Sequence, residues 1–125
     1  MRTVHTDIII DTIKDMCIEA NYVLSNDISS RIISAEKNED NVIGKQILGQ
    51  LVTNMEIAKE EKIPICQDTG MATVFIQLGQ DVHIEGMSLN DAVNEGIRRG
   101  YNDGYLRKSI VKDPIMRVNT GDNTP

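Results

Sequence analysis

The chain has 125 residues, a formal net charge of −6, and a composition that is 40% hydrophobic but only 3% aromatic. The acidic balance opposes the phosphate attraction on which nucleic-acid binders depend, and one Phe, three Tyr and no Trp leave no platform for stacked bases. No apolar run approaches the roughly 20 residues that span a bilayer, so the expectation is one soluble, cytoplasmic domain with an aliphatic core.

Two cysteines, Cys17 and Cys66, make no disulfide framework and belong to no CxxC pair. Ile8-Ile9-Ile10 is too short for a signal-peptide core and is followed at once by Asp11. Thr6 or Asp7 caps a first helix to about Leu24, with Ile9, Ile13, Met16, Cys17, Ala20 and Leu24 as its apolar stripe. Cys17 falls inside that stripe and reads as a core thiol; the lone His5 has no ligand partner in sequence. Ser25, Asn26 or Asp27 caps a short second helix carrying Ile28, Ile32, Ile33 and Ala35. A polar loop follows at 37–41.

A third helix over about Val42 to Glu61 presents Ile47, Leu48, Leu51, Val52, Met55 and Ala58. Gly44 and Gly49 each cost about 1 kcal/mol in a helix interior and mark candidate close packing. Pro64 closes this helical part. Ala72 to Leu78 alternates Val74, Ile76 and Leu78 on one face and predicts a strand, returning through Gly79-Gln80-Asp81 to Val82-His83-Ile84 as a hairpin. His83 should point off the buried face. Ser88 to Asp91 resembles a capping box for a last helix with Leu89, Ala92, Val93, Ile97 and Tyr101 inward, ended by Gly100 and Gly104. The predicted class is therefore α+β, mainly α: about three helices over 1–62, then a mixed part over 63–125 with a short β-hairpin and a further helix. There are no repeats.

The chemistry concentrates between two breakers, Pro64 and Gly70, where Cys66, Gln67, Asp68 and Thr69 place a thiol, a carboxamide, a carboxylate and a hydroxyl on consecutive residues. A neighbouring carboxylate raises a thiol pKa, so Cys66 is a poor nucleophile, whereas a metal deprotonates a coordinating thiol outright. Metal ligation and a small buried Cys before a polar turn both remain open on these residues alone. A mononuclear zinc site using Cys66 and Asp68 lacks a convincing set of three or four ligands. Downstream, six basic residues (Arg98, Arg99, Arg107, Lys108, Lys112, Arg117) face two acidic ones (Asp103, Asp113) within 98–117. That is either a solvated basic face or a carboxylate-binding one, and Arg107 after the Gly104-Tyr105-Leu106 turn is placed to grip an anion with its two-pronged guanidinium. Asn119-Thr120-Gly121-Asp122-Asn123 has the composition of an anion-binding nest, and equally of any surface turn.

Pro64-Ile65-Cys66-Gln67-Asp68-Thr69-Gly70, then Gly104-Tyr105-Leu106-Arg107-Lys108-Ser109, then Asn119 to Pro125, in that order and at about that spacing, resemble the class I, iron–sulfur-dependent fumarate hydratases. The nearer likeness is to the alpha subunit of the two-subunit fumarase and tartrate dehydratase type. The resemblance implies an amino-terminal fragment, 1–125, of a hydro-lyase alpha-subunit catalytic domain, with further cluster cysteines beyond it. It implies that Cys66 is one of three cysteine ligands of a [4Fe–4S] cluster, that Gln67 faces the substrate, that Asp68 is the acid exchanging a proton with the departing hydroxyl, and that Arg107 binds a substrate carboxylate. It further implies a small dicarboxylate substrate, a beta subunit or carboxy-terminal domain carrying the catalytic base, and an oligomer. The activity expected is malate–fumarate interconversion, with tartrate dehydration as the alternative. A non-catalytic helical assembly module is the rival from another class.

Overall fold

The computed structural model describes residues 2–65 and 70–125. Its elements run β1 (Arg2–His5), α1 (Thr6–Tyr22), α2 (Asn26–Asn38), α3 (Val42–Glu61), β2 (Val82–Glu85) and α4 (Leu89–Asp103). This is the mainly helical α+β class that the periodicities predict. Among the described residues, no helix is long and apolar enough to cross a membrane. The chain divides into two compact units, Met1–Ile18 with Asp68–Pro125, and Glu19–Gln67.

The Glu19–Gln67 unit is built on a helical hairpin, α2 packing on α3. The turn between them is fixed by Asn41, whose side-chain oxygen accepts the N–H groups of Ile43 (3.0 Å) and Gly44 (3.1 Å), two of the donors that a helix start leaves without partners. At the other end of α3, Lys62 turns left-handed (φ 53°) and returns its N–H to the Ala58 carbonyl, two residues before Pro64 forbids further helix. Burial is sparse. Ala58 and Ile65 are buried, α2 buries no residue, and Ile47 and Leu51 of the expected α3 stripe stay 53% and 45% exposed. Gly44 and Gly49 do not mark a close helix approach: an added Cβ would meet only the side chains of Glu39 and Glu36.

The other unit has a denser centre. Ile10, Ile13, Ala92, Ile97, Tyr101 and Leu106 are buried in it, each large apolar side chain being worth about 1.5–3 kcal/mol relative to exposure. What allows this is a seam of glycines four residues apart, Gly96 and Gly100 within α4 and Gly104 at its C-cap. A Cβ on Gly96 would lie 2.9 Å from the Ile10 carbonyl, one on Gly100 would lie 3.0 Å from the Lys14 carbonyl and 2.7 Å from the Cys17 Cβ, and one on Gly104 would lie 2.8 Å from Ile18 Cγ1. The backbones of α1 and α4 approach closely only because no Cβ stands between them. Gly100 is thus inside α4 and does not end it, a correction to the expected boundary. The buried face of α1 is also offset from the expected stripe: Ile10 and Ile13 are buried, while Met16 is 58% exposed and Ala20 is exposed.

The predicted hairpin is replaced by a non-local pairing. Residues 72–78 form no strand, and β2 pairs in parallel with β1, Arg2 opposite Val82 through His5 opposite Glu85. The first residues of the chain occupy the edge that the alternating 72–78 segment was expected to fill. His83 is exposed, as its alternation with Val82 and Ile84 predicts. After β2, Gly86 adopts φ 114° where a Cβ would overlap Thr6 Oγ1, and that buried hydroxyl accepts the Met87 N–H (3.4 Å). Ser88 then caps α4 by accepting the Asp91 N–H, while its own hydroxyl donates to the Asp91 carboxylate (2.6 Å). The shorter Asp makes this a variant of the capping box, with the return bond to the hydroxyl.

Candidate functional site

Cys66, Gln67 and Asp68, the three expected site residues of the first motif, lie outside the described residues. The residues on either side of them are anchored. In the Glu19–Gln67 unit, Ile65 is buried and its N–H donates to the Asn21 carbonyl (2.8 Å). In the other unit, the Gly70 carbonyl accepts a hydrogen bond from Asn123 Nδ2 (3.3 Å).

The second motif is a tight reversal at the end of α4. Gly104 donates to the Gly100 carbonyl, Tyr105 takes φ 53°, and Leu106 donates to the Tyr101 carbonyl (3.0 Å). Leu106 is 4% exposed and pins the turn, and Arg107, next in sequence, is exposed. Lys108 is half-buried; its Nζ donates to Asn102 (3.4 Å) and its carbonyl accepts from Asn119 Nδ2 (3.0 Å). The basic segment is partly neutralised by carboxylates that flank it in sequence. Arg98 pairs with Glu95 and with Asp122 (Nε to Oδ2, 3.0 Å), and Arg99 Nε donates to Glu95 (2.7 Å).

The third motif folds back onto the second. Thr120 N–H donates to the Ile110 carbonyl (2.9 Å), and Val111 bridges Asn119 in antiparallel sense. The backbone donors of this turn are largely spent inside it: Gly121 N–H goes to Asn119 Oδ1 (2.7 Å) and Thr124 N–H to Asp122 Oδ1 (3.1 Å). A nest holds an anion with free N–H groups, so these engaged donors make the segment a strut for its neighbours instead. The Arg98 guanidinium, then the Thr124 N–H and hydroxyl, hold the Asp122 carboxyl well below the usual carboxylate range. The buried Thr120 hydroxyl lies near enough to contribute to that depression, yet it has no partner in hydrogen-bond geometry.

Asn123 and Tyr101 were absent from the predicted site. Asn123 is 3% exposed and joins Gly70, Ser109 and Ile110; its type, a turn residue in a polar run, gave no signal of burial. Burial pushes the Tyr101 phenol up, the Cys17 thiol adds to that, and the Asn123 side chain opposes it. Cys17 is half-buried against α4 and burial raises its pKa, so it stays a protonated packing thiol.

That leaves Cys66 as the candidate thiolate in these 125 residues, whereas the implied iron–sulfur cluster takes three. Among the described residues no group of three His, Cys, Asp or Glu side chains is placed to hold a metal ion. The donor set of this chain alone does not fit the cluster.

Comparison with known proteins gives a consistent result. The fumarate hydratase (Fumerase) family model matches residues 10–125, spanning all three motif stretches. A protein of Methanocaldococcus jannaschii described as a putative L(+)-tartrate dehydratase subunit alpha is 31% identical over 120 residues, covering 92% of this chain and 42% of that one. A putative class I fumarate hydratase of Geobacillus stearothermophilus is 28% identical over 114 residues, 90% of this chain and 22% of its own length. The anaerobic class I fumarate hydratase of Escherichia coli is 35% identical over 83 residues, 65% of this chain and 15% of its own. The chain thus spans less than half the length of each of these relatives.

Proposed function

The chain belongs to the fumarate hydratase family, and on that footing we propose that it forms part of a hydro-lyase interconverting a 2-hydroxy dicarboxylate and its dehydrated product. The observation that carries this reading is the family match across residues 10–125, which takes in the Cys66 motif, the Arg107 turn and the Asn119–Pro125 segment together.

Arg107 is the proposed carboxylate anchor. It is exposed, it follows a turn fixed by buried Leu106, and its guanidinium can meet a carboxylate through two parallel hydrogen bonds. Gln67 is proposed to face the substrate. Asp68 is proposed as the acid: it gives a proton to the departing hydroxyl, which leaves as water, while a base outside this chain takes the proton from the neighbouring carbon. Cys66 is proposed as one thiolate ligand of a [4Fe–4S] cluster whose remaining ligands come from elsewhere. Such a cluster, if bound, would supply a Lewis acid for a poor leaving group. Relatives described as alpha subunits support a beta partner carrying the rest of the site. Malate–fumarate interconversion is the primary reading. Tartrate dehydration is the second, favoured by the description of the Methanocaldococcus relative.

The test is steady-state kinetics of the assembled enzyme on malate, fumarate and tartrate, with Arg107→Lys and Lys108→Ala at matched cluster content. Arg107→Lys keeps the charge and loses the fork, and should cost about 2 kcal/mol or more in kcat/KM, since charge-assisted hydrogen bonds are worth roughly 1.5–3 kcal/mol each. Lys108→Ala should cost under about 1 kcal/mol. Both variants near wild type would make the basic segment a solvated face.

A further inference from the structure

Asn123 combines three properties that an ordinary surface turn does not require. It is 3% exposed, it holds a left-handed backbone (φ 62°), and its side chain bonds two separate segments of its unit, at Gly70 and at Ser109–Ile110. Asn tolerates that backbone region better than most side-chain-bearing residues. Its Oδ1 accepts both the Ser109 N–H (2.7 Å) and the Ile110 N–H (3.0 Å). Two donors converging on one atom identify that atom as the oxygen, so the Nδ2 side faces the Gly70 carbonyl at 3.3 Å. The same side chain lies near enough to the Tyr101 phenol in α4 to oppose the rise that burial gives its pKa. The preceding residue, Asp122, is tied to Arg98 and caps Thr124, which steadies the backbone that presents Asn123.

We propose that Asn123 is a positioning residue, a clamp that holds Gly70, the last residue of the first motif, in fixed register with the Gly104–Ser109 turn that carries Arg107. One side chain bonds the backbone at Gly70 and the backbone at Ser109, one residue from the first motif's Thr69 and two from Arg107. The proposal deepens the hydro-lyase reading and rests on it: if Asp68 and Arg107 act on one substrate, the clamp sets how the acid meets a carboxylate-anchored molecule. No other side chain substitutes readily. Asp keeps the acceptor for Ser109 and Ile110 but sets a second oxygen against the Gly70 carbonyl. Leu, of similar shape, leaves two backbone N–H groups unpaired.

The experiment compares wild type with Asn123→Asp in the assembled enzyme, by hydrogen-exchange mass spectrometry and steady-state kinetics. The clamp predicts faster exchange in peptides containing Gly70 with unchanged protection at Ser109 and Ile110. It also predicts a kcat at least about tenfold lower with KM within about threefold, because the substrate's anchor survives while the acid loses its register. Unchanged exchange around Gly70, or a lost Gly70 bond with full kcat, overturns the proposal. If Asn123→Asp does not fold, Asn123→Gly keeps the left-handed backbone and removes every side-chain bond. It should then speed exchange at both Gly70 and Ser109–Ile110 and lower kcat likewise; unchanged kcat in that variant is equally fatal. A wild-type enzyme inactive on every 2-hydroxy dicarboxylate tested would sink the functional reading instead, while exchange around Gly70 still decides the clamp.

Discussion

Between Glu19 and Gln67 a helical hairpin leaves Val42, Ile43 and Ile47 more than half exposed, at 72%, 68% and 53%, whereas Met1–Ile18 with Asp68–Pro125 encloses Ile10 and Ala92 almost completely, at 1% and 0%. Both units show clear helical periodicity in sequence, so periodicity is not what separates them. The difference is how closely backbones approach. In one unit Gly96, Gly100 and Gly104 bring α4 against α1 at atomic contact, and Asn123 and Asp122 accept the Ser109, Ile110 and Thr124 N–H groups. In the other, Gly44 and Gly49 face only the ends of acidic side chains. Helix pattern makes an element, but a dense core here needs a seam that lets elements meet.

The sharpest way to break this contrast is truncation of equivalent isoleucines. Ile10→Ala, at a fully buried site, should destabilise by about 2–5 kcal/mol, and Ile47→Ala by no more than about 0.5 kcal/mol. Urea midpoints measured at constant slope would show it, and similar losses from the two would erase the distinction between the units.

A second comparison uses glycines. Gly100→Ala places a Cβ against the Lys14 carbonyl and the Cys17 Cβ, neither of which can swing away, so overpacking of about 1–3 kcal/mol should exceed the gain of about 1 kcal/mol from helix propensity. Gly49→Ala meets only Glu36 Oε1 at 3.6 Å and should be neutral or stabilising by up to about 1 kcal/mol. A stabilised Gly100→Ala would show that the seam is not a contact.

The smallest effect concerns acid. Glu95 is held low, first by Arg99 and then by Arg98, and Asp122 is held low first by Arg98. A carboxyl lower in the folded state than its unfolded value of about 4 binds protons less readily when folded. Its stabilisation is therefore complete above about pH 4 and is lost as pH falls through the folded value. Each pair is partly exposed, so the loss should be under about 1 kcal/mol. Asp122→Asn should flatten the fall in denaturation midpoint between about pH 5 and pH 2; an unaltered slope would remove Asp122 from this account.

The sequence made the helices legible because their signals are local. Asn41 and Ser88 start helices by accepting N–H groups two or three residues on, Pro64, with no N–H to give, forbids further helix, and α1, α2, α3 and α4 fall close to their expected bounds. What stayed hidden depends on partners far away in the chain. Residues 72–78 alternate like a strand, yet the ladder beside β2 is taken by Arg2–His5, some eighty residues distant. The buried face of α1 moved from Met16 towards Ile10 because the glycine seam of α4, not α1's own pattern, decides which side is covered. Of that seam the sequence reading takes Gly100 and Gly104 as the helix end, which holds for Gly104, the C-cap, and not for Gly100. At the site, Arg107 follows its turn as expected, but Asn123 could not be told from a surface Asn without knowing that Ser109, Ile110 and Gly70 surround it.

The most direct test of the functional account is the iron content of the assembled enzyme carrying Cys66→Ser or Cys17→Ser, each checked for folding by circular dichroism. Cys17 packs beside Gly100 with its thiol pKa raised by burial, and Cys66 belongs to the Pro64–Gly70 motif. The account predicts that Cys66→Ser loses iron, visible absorbance and turnover, while Cys17→Ser keeps its iron. Equal iron in both folded variants, or equal loss from both, would contradict the proposal that Cys66 is a cluster ligand.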